Sequence, residues 1–161
     1  MACDLTERNR DLECKEYVGG LKNVYFVNYT DTVPTMNAST RVVASVTGTK
    51  YKYELKGNSS FTQNVQASRE NGTVAYEQVL ELTLPKLTVA DHKEIKLISF
   101  GRPRVIVEDY NGNYFLVGRE HGAEVTGGTV VTGAAMGDLS GYTLTLTAME
   151  RFPANFVTSI A

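Results

Sequence analysis

Two Asn-Gly pairs, Asn71-Gly72 and Asn111-Gly112, each sit between runs rich in aromatic and β-branched residues. Asn-Gly readily takes positive φ at the two centre positions of a tight turn, so each pair predicts an antiparallel hairpin. The first joins residues 61–68 to 73–84, and the second joins 104–110 to 114–118. A chain punctuated in this way is committed to antiparallel β structure. The remaining segments agree. Residues 24–29 (Val-Tyr-Phe-Val-Asn-Tyr) have the side chains that suit a pleated, half-buried surface. Residues 41–46 are expected to form the next strand, closed by a turn at 47–50. Residues 51–56 and 142–147 alternate apolar and polar, which gives a strand with one core face and one wet face. Gly127-Gly128 separates 124–126 from 129–132 and predicts a third hairpin, followed by a small-residue loop at 133–141.

One segment breaks this texture. After Pro85, Thr88 offers an N-cap and Asp91 can meet the exposed amides of a first turn, so a helix is expected over 89–99, ended by Gly101 and Pro103. About nine strands with one short helix and one long hairpin predict a mostly β fold, an antiparallel β-sandwich or barrel. The 161 residues suit one domain, which needs no disulfide or metal to hold its core. The expected organisation is an N-terminal arm over 1–20, a β-sandwich domain over 21–152 and a C-terminal tail over 153–161. Thr6 could cap a short helix within the arm.

Charge and composition exclude several classes of function. A net charge of −2 gives no basic excess for holding phosphates, as a dedicated nucleic-acid surface requires. Cys3 and Cys14 are the only cysteines and His92 and His121 the only histidines, too few and too scattered for a four-ligand zinc site. Both thiols are expected to be free, in a reducing compartment. Met1 to Arg10 has no apolar core of the secretory type, and no run approaches the ~20 apolar residues of a membrane helix. Synthesis in a cytoplasm and no contact with membranes are the expectation.

No catalytic constellation is legible. His121 follows a strand in Glu120-His121-Gly122 with no Gly-x-Ser-x-Gly elbow in the chain, and His92 lies among charges in the expected helix. Both read as solvated surface histidines. Glu108, Asp109 and Asp138 are carboxylates at turns, where an acidic side chain holds local backbone rather than performs chemistry. Asp109-Tyr110-Asn111-Gly112-Asn113 carries side-chain oxygens at alternating positions, but its Gly is fourth rather than sixth; Glu120 falls twelfth. The hairpin turn explains these residues without calcium. The sequence has no phosphate-binding glycine motif. The nine tyrosines read as packing, and the absence of Trp lowers the case for a sugar platform. No enzyme, no metal and no cofactor are expected.

Assembly remains. The ends are charged or flexible, Gly133-Ala134-Ala135-Met136-Gly137 permits close approach between chains, and the hairpin over 61–84 is longer than a core requires. Its polar end, with Gln66, Arg69, Glu70, Asn71 and Gly72, is the candidate inter-subunit element.

The run from Val107 to Gly122 (Val-Glu-Asp-Tyr-Asn-Gly-Asn-Tyr-Phe-Leu-Val-Gly-Arg-Glu-His-Gly) and the run from Gly137 to Glu150 (Gly-Asp-Leu-Ser-Gly-Tyr-Thr-Leu-Thr-Leu-Thr-Ala-Met-Glu) resemble virion structural proteins of tailed bacteriophages. The order of strands, central helix and strands, with a long hairpin, is similar to tail-tube-like and tail-hub proteins over roughly 21–152. The resemblance implies a β-sandwich subunit of the virion tail, assembled in the host cytoplasm as a hexameric or other ring or as stacked rings. It further implies a lumen through which DNA passes, a hairpin docked on the adjacent subunit, other tail or neck proteins as partners, and no catalytic residues. A capsid decoration or head–tail connector protein, or a small calcium- or glycan-binding β module, is the alternative expectation.

Overall fold

The computed structural model describes residues 15–55 and 58–160. Cys3, Cys14 and the Thr6 cap lie outside the described residues. Those residues form nine strands and one helix: β1 Leu21–Val27, β2 Lys50–Glu54, β3 Ser60–Ser68, β4 Thr73–Pro85, α1 Val89–Phe100, β5 Arg104–Asp109, β6 Tyr114–Val117, β7 Glu124–Val131, β8 Gly141–Glu150 and β9 Asn155–Phe156. They build two antiparallel sheets, five-stranded in the order β2-β1-β5-β6-β9 and four-stranded in the order β3-β4-β8-β7. The chain is therefore a mostly β sandwich. Neither sheet closes on itself, so the barrel option falls away.

The core between the sheets takes Val24 and Phe26 of β1 and Val105 and Val107 of β5, against Leu80 and Leu82 of β4 and Leu144 and Leu146 of β8. Alternation supplies one inward residue in two on β4 and β8, as the Thr-Leu-Thr-Leu pattern requires. β1 and β5 differ. Tyr25, Val27 and Ile106, on their outer face, are also buried, in a second cluster with Val43, Val46, Leu116 and Val157. Residues 24–29 were expected to be half-buried, but β1 is covered on both faces through Val27. Unbroken apolar runs such as Val-Ile-Val at 105–107 are what a doubly covered strand needs.

The cover comes from two segments with other expected roles. Residues 41–46 do not form a strand. Asn37 accepts the amides of Ser39 and Thr40 on its side chain, and Arg41 turns at φ 57. Only single bridges follow, from Val43 to Met36 and to Val157. Val43 and Val46 act as plugs over the outer face of the five-stranded sheet. Residues 153–161, read as a tail, supply β9 and the buried Asn155 and Val157.

The turns also depart in detail from the sequence reading. Both Asn-Gly pairs end hairpins, but only the glycines have positive φ, at 63 for Gly72 and 83 for Gly112. The first loop is four residues (69–72), closed by Gly72 N donating to Arg69 O at 3.3 Å. The second is a three-residue loop closed by Asp109 N donating to Asn113 O at 3.1 Å. Both loops end in a left-handed glycine and are one or two residues longer than the two-residue turn.

Gly127-Gly128 makes no turn. β7 runs straight through it, with a bulge between Val125 and Gly127, and stays paired to β8 down to Val131–Gly141. The unbroken row of partners on β8 outweighs the local flexibility of two glycines. The helix forms as expected: Thr88 accepts the amide of Asp91 on its side chain at 3.1 Å, and Ile95 and Ile98 lean on the core.

Candidate functional site

The β3–β4 hairpin is the element that exceeds the sandwich. Its nine backbone pairs run without a slip from Ser60–Glu81 to Ser68–Thr73. β8 supports β4 only as far as Tyr76–Glu150. Three more pairs and a four-residue turn therefore project as a two-stranded ribbon, roughly 10 Å of strand at the usual rise. A two-stranded ribbon is marginal in water by itself.

Facing residues of antiparallel strands share a face. Phe61–Leu80 and Gln63–Gln78 point toward the core, so Val65–Tyr76 and Ala67–Val74 continue that same face outward. There Val65 is 61% exposed and Val74 49%. The ribbon thus carries an apolar stripe that the described residues leave about half exposed or more at Val65 and Val74.

The sequence reading selected the polar tip. Gln66, Arg69, Glu70, Asn71 and Gly72 are all exposed at the end of the ribbon. Gln66 donates to Glu77 across the strands at 3.0 Å, and Asn71 N donates to Ser68 Oγ at 3.3 Å, so these residues shape the tip. Val65, Ala67, Val74 and Tyr76 were missed. The alternation Phe61, Val65, Ala67 was present, but the intervening Gln, Asn and Ser residues dominated the reading of the segment as polar.

The carboxylate candidates resolve into local structure. Asp109 Oδ1 accepts the amides of Asn111 (2.9 Å) and Asn113 (2.8 Å), and Oδ2 accepts both carboxamides. Partial burial pushes its pKa up, but the bonds from Asn113 and Asn111 together outweigh that effect and hold the group below the ordinary aspartate value. Asp109 and Glu120, the first and twelfth positions of the calcium-like spacing, lie beyond opposite ends of β6. Asp138 accepts the amides of Ala134 and Ala135, which lowers its pKa and ties down the 133–141 loop. Glu108 points elsewhere and accepts from Asn23 (2.9 Å) and Tyr25 (3.3 Å).

The Asp109 bonds set a pH dependence. A carboxyl whose folded pKa lies below its unfolded value stabilises the fold above the unfolded value, near 3.9, and loses that contribution as pH falls through the folded value. Asp109→Asn is expected to flatten the loss of stability between about pH 5 and pH 2. Urea midpoints measured across that range check it, and wild-type and variant curves of equal slope would contradict it.

His92 is exposed on α1, its ring 6.3 Å from that of Tyr142. His121 is exposed too, yet the fold brings it to a carboxylate that is remote in sequence. Its Nδ1 meets Glu150 Oε2 at 3.1 Å, and its main-chain amide donates to Glu150 Oε1 at 3.0 Å. With Glu120 it forms a group whose ligand-type atoms lie within 4.8 Å of one another. Glu120 is already bonded to Arg119 and Arg151, each at 3.1 Å. Arg104, 1% exposed, lies close enough to feel the charge of Glu150. Burial is the main influence on Arg104 and lowers its pKa, against the pull of Tyr29 and Glu150. A divalent cation placed here would compete with three guanidinium groups, so the arrangement is that of an ion-pair cluster pinning the 118–122 loop to β8.

A groove of about 600 Å³ lies between α1 and the edge strand β2. Phe26, Tyr51, Tyr53, Leu97 and Ile98 form its apolar part, with Asn28, Glu94 and Arg102 at its polar margin. Burial first, then the charges of Glu94 and Asp91, raise the Tyr53 pKa, which places that phenol beside the acidic side of the helix. No family model, curated protein or solved structure matches this chain. Its function is therefore argued from the ribbon, the groove and the open sheet edges. No helix among the described residues is long and apolar enough to cross a membrane.

Proposed function

We propose that this chain is a structural subunit of a bacteriophage virion that joins copies of itself into a ring, or stacked rings, of the tail tube or tail hub through which DNA passes. The observation that carries this reading is the exposed apolar stripe of the β3–β4 ribbon. Val65 and Val74 sit on the core-side face of a fully paired hairpin, at and beyond the last rung that β8 supports. A second chain is the natural cover for such a face. The sheets support the same reading, because β3 and β7 are the edges of one and β2 an edge of the other, strands that could each take an added strand. The net charge of −2 suits a lumen that lets DNA slide and does not trap it.

Light scattering and negative-stain microscopy of the purified protein test this. Rings or tubes are expected at high concentration or on addition of tail initiator proteins. Burying a valine contributes about 1.5 kcal/mol or more. Val65→Asp with Val74→Asp should then weaken self-association by about 100-fold or more, with the thermal midpoint of the monomer little changed. A wild-type protein that stays monodisperse and monomeric, with initiator present, would overturn the proposal, and binding to preformed capsids would move it to a decoration or connector role.

A further inference from the structure

Two different apolar surfaces stay uncovered among the described residues. One is the ribbon stripe. The other lines the groove beside α1, where Tyr51 is 49% and Leu97 54% exposed. That second surface exists because the inner face of β2 reaches past the four-stranded sheet. Tyr51 and Tyr53 pair with Phe26 and Val24, so they share the core-side face, but only one side of α1 comes down over them. The helix spends Ile95 and Ile98 on the core and turns Leu97 to the groove.

We infer that the α1–β2 groove is the acceptor for the β3–β4 ribbon of a second copy, so that assembly runs head to tail. This rests on the self-assembly reading above and names the contact that would build it. The ribbon offers two short strands of small and medium apolar side chains, Val65, Ala67 and Val74, with Tyr76 behind them. The groove has an apolar part formed by Phe26, Tyr51, Leu97 and Ile98 and lies against the edge strand β2.

The charges match as well. The tip carries Arg69 and Glu70, and the groove margin carries Glu94 and Arg102, one charge of each sign on either side. Opposite charges can face each other in one orientation, and like charges disfavour the reverse. Because donor and acceptor are different patches, each copy can accept one neighbour and be accepted by another. That is the condition for a ring or an open file rather than a two-fold dimer.

A mixing experiment with full-length chains tests this. One variant carries Val65→Asp and Val74→Asp and keeps an intact groove. The other carries Tyr51→Asp and Leu97→Asp and keeps an intact ribbon. All four positions are about half exposed or more, and circular dichroism and thermal midpoints confirm that both variants remain folded. Each variant alone should self-associate at least 100-fold more weakly than wild type. Mixed in equal amounts, they should form a one-to-one dimer and grow no further, because a single working contact remains between them. If wild type assembles but the Tyr51 and Leu97 variant assembles equally well, or if the mixture yields no dimer, the groove is not the acceptor, while the assembly reading stands. If wild type itself does not assemble, both fail.

Discussion

Gly122→Ala is expected to be among the most damaging single substitutions in this protein, costing roughly 3 kcal/mol or more of stability. Gly122 has φ 76, and an added Cβ would stand 2.2 Å from the Arg102 carbonyl oxygen. That contact is with backbone, so no side chain can swing aside to relieve it. The displaced segment is the one that carries the ion-pair cluster. Gly122 N donates to Gly118 O at 2.9 Å and Ala123 N to Pro103 O at 2.9 Å, while Arg104 Nε donates to Arg119 O at 2.8 Å. Moving the loop outward breaks these together and pulls His121 from Glu150, leaving a carboxylate with 4% exposure and a buried guanidinium without their partners. Gly112→Ala is the matched control. Its φ is 83, but no atom lies within 4 Å of the added Cβ, so only left-handed strain of about 1 kcal/mol applies. Urea unfolding of the two variants separates steric clash from backbone strain. Equal losses would show that Arg102 yields and that the loop is not pinned as described.

Leu146→Ala is expected to cost about 3 kcal/mol. Leu146 is fully buried at the centre of β8, opposite Leu80 on β4 and Val125 on β7. Three strands of the four-stranded sheet meet there, and the facing sheet closes the cavity, so little can relax into the space. Val65→Ala on the ribbon makes the contrast: with its side chain mostly in water, the folded monomer should change by less than about 0.5 kcal/mol. Thermal unfolding at a concentration where the protein is monomeric gives both numbers. A Val65→Ala loss that approaches that of Leu146→Ala would mean the ribbon folds back on its own chain, which would remove the basis of the assembly proposal. The two substitutions thus divide the molecule into residues that make the sandwich and residues free to serve a neighbour.

Where local chemistry governs, residues in sequence order were enough. The Thr88 cap, with Asp91 and the Ile95–Ile98 spacing, placed the helix to within a residue at its end. Alternation over 142–147 identified the core face of β8, and the two Asn-Gly pairs marked both hairpins. The carboxylates of Asp109 and Asp138 were assigned to turns because an acidic side chain one to four residues from free amides captures them whatever the rest of the chain does.

Elsewhere distant partners decided. Residues 41–46 have strand composition yet became a cover, because β1 and β5 presented a second apolar face that needed plugs more than another ladder. Gly127-Gly128 reads as a turn until β8 supplies an unbroken row of partners. The joining of His121 to Glu150, 29 residues apart, and the exposure of Val65 and Leu97 on separate surfaces depend on where two sheets begin and end. Side-chain period and turn chemistry act within a few residues and are written in the sequence. Which faces are covered, and which stay open for another chain, is settled only when strands far apart in sequence compete for the same neighbours.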